Sequence, residues 1–399
     1  MKREKTDIFI SGGGPAGLSA AAAFGRAGFS VILADPSPPV TEGDAEGSDL
    51  RSTAFLQPAR RLFEDAGLWE GLAPFGVALQ ALRIVDTAGE PPALRGERAF
   101  RSDDMGTAPF GWNFLNWVFR REVMKRLEQE PNVSLRLGRG FRALVTRTDE
   151  ALVTLDDGTR LSARLVIAAD GRNSPVRDAL GIGVRVTRHG QKSLAFTAAH
   201  QVAHGNVSTE IYHHGGPFTM VPLPDVDGQP ASAVVWMNPG RRAAELLAME
   251  PARFNAEMER RSAGLFGRMK LVSRRAMFPI VSQRASRLVA ARCAIVAEAA
   301  HVLPPIGAQG LNTSLNDIAR LLELARANPD GLGSAAMLAA FERARGPDIA
   351  RRARAIDLFN RVTRSPSRPL QDMRLIGLKM AHDIVPLRQA LMRAGMGPR

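Results

Sequence analysis

TDIFISGGGPAGLSAAAAFGRAGFSVILAD, running from Thr6 to Asp35, decides the fold. Thr6 to Ser11 is a short run of β-branched and aromatic residues, the texture of a buried strand. Gly12-Gly13-Gly14-Pro15-Ala16-Gly17 follows directly, then an Ala-rich helical stretch from Leu18 to Ala27 that Gly28 ends. Phe29 to Ala34 reads as a second strand, closed by Asp35. Gly12, Gly14 and Gly17 fill the positions of G-x-G-x-x-G. The first permits the tight turn, the second lets backbone approach a pyrophosphate, and the third lets helix lie on strand. Pro15 and Ala16 belong to the same loop, and the helix start after it presents free N–H groups and a positive dipole end to the phosphates. Asp35 stands about 20 residues on, where a carboxylate accepts from a ribose 2′-hydroxyl. Glycine-rich turns are common, but strand, loop, helix, strand and acid in this order read as a dinucleotide-binding unit.

The 399 residues exceed one comfortable core, which implies two domains or one with a large insertion. The only cysteine, Cys293, excludes an internal disulfide and fits a reducing compartment. It sits in the apolar run RCAIVA, as a core residue rather than a nucleophile. The start, MKREKTDIFIS, has a basic head like a signal peptide. The glycine loop accounts for the same residues, and no small-residue cleavage site interrupts them. No apolar stretch is long enough to span a bilayer. The expected location is cytoplasmic, with peripheral attachment to the inner membrane as the alternative. The net charge is +13, and Arg343 to Arg399 holds thirteen Lys/Arg against four Asp/Glu. That bias suits an anionic membrane surface. Nucleic acid is not expected, because Phe359 is the only aromatic in the segment to stack on bases.

Past Asp35, Pro36 to Asp49 reads as a loop. Arg51-Ser52-Thr53-Ala54 leads to a helix starting near Pro58, and Ala78 to Asp86 to a hairpin leaving the first domain. Gly106 to Trp117 (GTAPFGWNFLNW) is aromatic and irregular, and a helix follows from Arg120. Strand-like runs come at Val133–Leu137, Phe141–Arg147, Ala151–Leu155 and Arg164–Ala169. From about Gly183 to Met277 strands alternate with Gly/Pro turns, as in an antiparallel sheet. The dinucleotide texture returns at Cys293, and Ser334 to Met396 reads as helical with breaks at Pro366, Pro369 and Pro386. The fold class is α/β (α+β): a discontinuous Rossmann-like domain, 1–77 + 103–182 + 278–333, with an inserted antiparallel β-sheet substrate domain, 78–102 + 183–277. A C-terminal helical region, 334–399, completes it.

Two more segments narrow the ligand. They are Leu165 to Arg177 (LVIAADGRNSPVR) and Ala294 to Asp317 (AIVAEAAHVLPPIGAQGLNTSLND). With the opening loop they resemble the three signatures of the FAD-dependent group A aromatic hydroxylases. Asp170-Gly171 match the second signature, associated there with FAD and the transient NAD(P)H encounter. Ala299, Ala300, His301, Pro304, Pro305, Gln309, Gly310 and Asn312 match the third. A Gly/Pro-rich loop lets backbone approach a planar ring, and a helix beginning near Gly310 and Leu311 would place its N-terminus at the anion of a reduced flavin. The bland reading of His301 and Asn312 is that they cap and pack this helix. The sequence departs from the family at Ala297-Glu298, in place of Gly-Asp, and at Ala308 before Gln309-Gly310, in place of Gly. Glu298 keeps the charge with one more methylene.

Within that group the chain is most similar to the ubiquinone-biosynthesis hydroxylases. Arg51-Ser52-Thr53-Ala54 through Leu68-Trp69, Gly111–Leu127, and the tail with its small-Met-Gly ending carry this likeness. It implies that Arg51 and Arg120 contact the flavin or its phosphates; a surface salt bridge is the bland reading of each. It also implies a near-flavin loop of Pro304, Pro305, Gly307 and Gln309. The expected activity is FAD-dependent hydroxylation of a prenylated phenol through a flavin hydroperoxide, consuming O2 and electrons from NAD(P)H or another donor. A quinone-biosynthesis complex, a membrane surface and a homodimer are the partners the resemblance suggests. Tyr212, Phe218, Met220 and Trp236, with Phe196, Val235 and Met237, are candidates for a dry pocket wall, though alternating Phe and Met are more often plain core. Tyr212, the only tyrosine, could hydrogen-bond a phenol. Metal-ligand spacing, a P-loop and a Ser-His-Asp set are absent from the sequence. The alternatives are a flavoprotein reductase of prenyl double bonds, which would consume no oxygen, and a non-catalytic lipid-binding or scaffold subunit. A halogenase is less favoured, since Gly111-Trp112-Asn113-Phe114 only loosely resembles the tryptophan motif of those enzymes.

Overall fold

The structure, a computed structural model, describes residues 3–106 and 109–396. Thr107 and Ala108 of the aromatic stretch, and Gly397 of the small-Met-Gly ending, lie outside the described residues. Glu4–Ser11 and Val31–Asp35 pair in parallel, with the helix Pro15–Arg26 crossing between them. Val133–Leu137 extends the sheet on one side, Arg160–Ala168 and Cys293–Ile295 on the other, all in parallel. Ile8, Phe9, Leu33, Val166 and Ile167 are fully buried. These strands are covered on both faces, which explains their unbroken apolar runs. Phe141–Thr146 and Ala151–Leu155 attach to Arg160–Ala168 as an antiparallel meander. Cys293 is buried here, and desolvation pushes its thiol up to about 12, as suits a core residue.

The second sheet has nine strands. Val184–His200 lies at its centre, between Gln229–Pro239 and Ala276–Ala285, with Phe218–Val226 and Val207–Tyr212 following in order. The early hairpin, Ala81–Ala88 and Ala93–Arg101, completes the edge. Its contact with Val207–Tyr212 is the one parallel pairing in this sheet among the described residues. One strand, Ala276–Ala285, runs through the boundary expected at 277, and His301–Val302, beyond it, adds a further edge to the second sheet. The stretch between the two sheets is therefore shared by both. The chain around 111, expected to be irregular, forms the strand Gly111–Leu115 beside Ser52–Leu56 and Val77–Leu79. A Cβ on Gly111 would lie 2.2 Å from the Phe55 carbonyl oxygen, so only glycine admits this pairing.

The tail forms the helices Ala335–Thr363, Arg368–Asp383 and Val385–Met396. Pro366 falls in the first link, while Pro369 and Pro386 sit in first turns, where a missing N–H is harmless. No helix among the described residues is long and apolar enough to cross a membrane.

Candidate active site

A single cavity of about 1230 Å³ runs from the glycine loop, across the junction of the two sheets, to the last two helices. At one end, Gly14 precedes the helix Pro15–Arg26 with no side chain capping its first N–H groups. A Cβ on Gly12 or Gly17 would strike backbone, at 2.4 Å from the Ala169 oxygen and 1.9 Å from the Gly12 oxygen. A Cβ on Gly14 would meet nothing within 4 Å. Two glycines thus serve the fold, and the third opens free space over a helix N-terminus. Asp35 accepts from the Gly13 amide at 2.5 Å and the Ser37 amide at 2.8 Å, which holds its carboxylate against the glycine loop, beside the cavity rather than in its wall.

Arg51 and Arg120 both line the cavity, and one acid gathers them. Asp49 pairs with Arg51 through two contacts of 2.7 Å and lies 3.6 Å from Arg120. Burial raises the Asp49 carboxyl, but Arg51, the Asn116 amide and Arg120 outweigh it and hold it below the usual range. The sequence reading missed Asp49, because a single acid in an acid-rich loop carries no spacing signal. Arg120 Nε is buried with no hydrogen-bond partner among the described residues, and so is Asp170 Oδ1. Asp170 stands behind the glycine loop, accepting from the Val176 amide at 3.1 Å, while Gly171 faces the cavity. Open space at Gly14, uncapped amides and these two orphaned polar atoms fit a flavin dinucleotide held by protein groups.

Pro304, Pro305, Gly307, Gly310 and Leu311 line the middle of the cavity, at the start of the helix Gln309–Ala327. Asn312 is committed to backbone: it accepts from Leu56 N at 2.9 Å and donates to Ala54 and Ala308 oxygens at 2.7 Å. It locks this helix to the Ser52–Leu56 strand and would act on a cofactor only by placing that helix. Gln309 is committed too, donating to Gly307 and Gly395 oxygens at 2.9 Å and so tying the loop to the last helix. His301 Nε2 meets Asp317 Oδ2 at 2.7 Å, and Arg345 Nε meets Asp317 Oδ1 at 2.7 Å, all buried. The bland reading of His301 and Asn312 as packing residues therefore accounts for most of their contacts.

The family departures have a backbone explanation. Ala297 and Ala308 both sit at φ +55°, the left-handed region that glycine favours. Alanine has kept the glycine conformation at both positions, and Glu298 reaches the cavity wall near enough for its charge to act on Arg51. Left-handed alanine costs about 1–2 kcal/mol, and glycine returns part of that through the unfolded state, so Ala297→Gly and Ala308→Gly should each gain about 0.5–1 kcal/mol in denaturant titrations.

The pocket wall needs a correction. Strand alternation puts Ser208, Glu210, Tyr212, Thr219, Val221 and Val235 on the cavity face. Phe218, Met220 and Trp236, with Phe196, point the other way and pack on Phe254 and Met258 of the helix Pro251–Arg261. The period of two identifies two faces, but helices covering one of them decided which became core. Outside the cavity, Glu90, His213 and His214 approach one another closely enough to hold a cation. Arg260 already pairs with Glu90 at 2.6 Å and Arg261 acts on His213, so the local field disfavours one.

Comparison with known proteins follows the same lines. The FAD binding domain family matches residues 5–355. Ubiquinone hydroxylase UbiL of Rhodospirillum rubrum is 33% identical over 394 residues, covering 98% of this chain and 89% of that protein. The 3-demethoxyubiquinol 3-hydroxylase of Escherichia coli is 26% identical over 411 residues, covering 100% of both. Among solved structures, p-nitrophenol 4-monooxygenase PnpA of Pseudomonas putida superposes with a TM-score of 0.79 at 17% identity, covering 99% of this chain and 100% of that one.

Proposed function

The chain belongs to the FAD binding domain family and to its ubiquinone hydroxylase branch, and we propose that it adds a hydroxyl group to the ring of a prenylated phenol. It is an FAD-dependent monooxygenase. The observation that carries the substrate proposal is the continuous cavity, which joins the glycine-loop cradle to a chamber walled by Ala195, Val221, Val235 and Ile280 and reaching the tail helices at Leu370 and Leu391. Bound flavin supplies the oxygen-transfer chemistry. The protein's share is placement and dryness. Gly14 and the uncapped amides would receive the pyrophosphate, Asp35 the ribose, and Arg51 and Arg120 would add positive charge held in position by Asp49. Backbone from Pro304 to Gly310 would hold the flavin ring, and the largely apolar chamber would exclude water that diverts the oxidant.

The test is lipid mass spectrometry on cells lacking the protein. The expected result is loss of quinone with accumulation of a prenylated phenol short of one oxygen; a normal quinone profile would overturn the substrate class.

We further propose that the mouth of the cavity docks on an anionic bilayer. Met373, Ile376 and Met380 are 64%, 56% and 52% exposed along one face of the helix Arg368–Asp383, and Ile384, Val385 and Leu391 continue the patch. Leu370, Met373, Leu378 and Leu391 also line the cavity, so a prenyl tail would pass from lipid to chamber without crossing water. Exposed Arg368, Lys379 and Arg393 lie in the same two helices, and exposed Arg361 near the end of the helix before them. Burying two such side chains is worth roughly 1.5–3 kcal/mol each, so Ile376→Glu with Met380→Glu should reduce flotation with phosphatidylglycerol vesicles more than about tenfold.

A further inference from the structure

We propose that the corner of the tail from Lys379 to Leu391 is a strap that closes the chamber in water and opens at an anionic bilayer, where lipid phosphates take the places of Asp383 and Asp104 on Arg98 and Arg388. The inference rests on the docking reading above. Both ends of the helix pair are anchored. On the first helix Arg374 and Asp86 form a buried pair, Arg374 Nε donating to Asp86 Oδ1 at 2.6 Å, and Arg374 Nη1 donates to the Thr363 oxygen at 3.2 Å. On the second, Met392 is buried and Gln309 donates to the Gly395 oxygen at 2.9 Å. Between these anchors, from Leu375 to Leu391, no side chain is buried. Leu378, Ala381 and Leu391 nevertheless line the cavity, so this stretch is the wall between chamber and surroundings.

What holds the strap down is polar. Arg98 of the Ala93–Arg101 strand grips Asp383 twice, Nε to Oδ1 at 2.8 Å and Nη2 to Oδ2 at 2.9 Å. His382 Nε2 lies 3.2 Å from the Ala99 oxygen, its ring edge-on to Phe100 at 5.4 Å. Arg388 Nη2 donates to Asp104 Oδ1 at 3.3 Å, and Gln389 donates to the Asp104 backbone oxygen at 3.5 Å. Magnitudes separate anchor from latch. A buried ion pair is costly to break, whereas half-exposed pairs contribute little and weaken with salt. The Arg98 and His382 hydrogen bonds hold the Asp383 carboxyl well below the usual carboxylate range. The latch therefore stays charged at physiological pH and yields to a competing anion rather than to a proton.

The latch also sits where a bilayer would reach it. Asp383 and Arg388 bracket Ile384, Val385 and Leu387, which are 46%, 47% and 37% exposed. When that corner enters lipid, headgroup phosphates arrive beside Arg98 and Arg388, while the negative surface repels Asp383 and Asp104. A guanidinium binds phosphate in the same two-pronged geometry as carboxylate, so the exchange leaves both arginines paired. The freed corner uncovers Leu378 and Leu391, and a prenyl chain passes from lipid into the chamber. In water the closed strap keeps that wall covered and the chamber dry.

The experiment uses the full-length, FAD-loaded protein with nitroxides on Ala390→Cys in the strap and Arg185→Cys in the strand Val184–His200; buried Cys293 stays unlabelled. Pulsed EPR reads their separation. Phosphatidylglycerol vesicles should lengthen it by at least about 5 Å, one helical turn, and neither phosphatidylcholine vesicles nor inorganic phosphate should. Asp383→Asn with Asp104→Asn should show the longer separation already in buffer; Asp383→Asn alone is the second reading should the double variant lose flavin. An unchanged separation in native protein that floats with phosphatidylglycerol, or a short one in the flavin-loaded variant, would overturn the strap alone. Lengthening by inorganic phosphate or phosphatidylcholine would overturn the anionic bilayer as its trigger. Failure of the native protein to float would overturn the docking reading and this inference with it.

Discussion

Replacing Gly14 with valine will yield a folded, colourless protein. The Gly14 backbone, at φ −72° and ψ 173°, suits any residue, and a Cβ there meets nothing within 4 Å. The fold has no objection to the side chain. The ligand does, because valine would fill the space above the uncapped amides of the helix Pro15–Arg26, where we propose that the pyrophosphate lies. FAD affinity should fall by at least about 100-fold, or roughly 2.7 kcal/mol, with hydroxylation lost alongside. Gly17→Val is the contrasting case: its Cβ would stand 1.9 Å from the Gly12 oxygen, so that variant should fail to fold. Flavin absorbance and thermal melting of both proteins check the pair. A Gly14→Val protein that keeps its flavin would show that the phosphates lie elsewhere.

Asp317→Ala should unfold the protein more readily than any surface change. Asp317 is fully buried and holds His301 and Arg345 from its two oxygens, each at 2.7 Å. Burial pushes its carboxyl up, but His301 and then Arg345 prevail and hold it below the usual carboxylate range. Removing it leaves the Arg345 guanidinium buried beside Asp348 alone, and a broken buried pair costs about 3–5 kcal/mol. His301 leads directly into Leu303–Ala308, so flavin affinity should fall as well. The pH dependence has a definite sign. A carboxyl depressed in the folded state stabilises above its unfolded value near 3.9, and that contribution is lost as pH falls below it. The native protein should therefore lose stability between about pH 5 and its folded-state value, and Asp317→Ala should show a flatter acid limb in urea titrations across that range. An unchanged limb would remove Asp317 from the account.

How legible the site was differs from one residue to the next. Gly12, Gly14, Gly17 and Asp35 could be read from local order, because the turn, the helix start and the acid are all fixed within one βαβ unit. Arg51 and Arg120 were legible as candidates, but their shared partner Asp49 was not, since an ion pair forms between whichever side chains the fold brings together. Asp317 with Arg345, and Asp86 with Arg374, were invisible for the same reason. Ala297 and Ala308 looked like losses from the motif until their backbone angles showed the glycine conformation retained.

By itself the sequence determined the parallel sheet, the inserted antiparallel sheet, the glycine loop and the Gly/Pro-rich loop at Pro304–Gly310, because each rests on periodicity or on residues whose backbone freedom is special. Only the tertiary structure decided which face of the inserted sheet is the chamber. Along Val207–Tyr212 and Phe218–Val226 the alternation separates two faces without saying which is buried, and the helices Gly240–Ala248 and Pro251–Arg261 cover the one bearing Phe218, Met220 and Trp236. Once those large side chains are core, their neighbours Glu210, Tyr212 and Thr219 must face the cavity, since a side chain two residues along a strand returns to the same face.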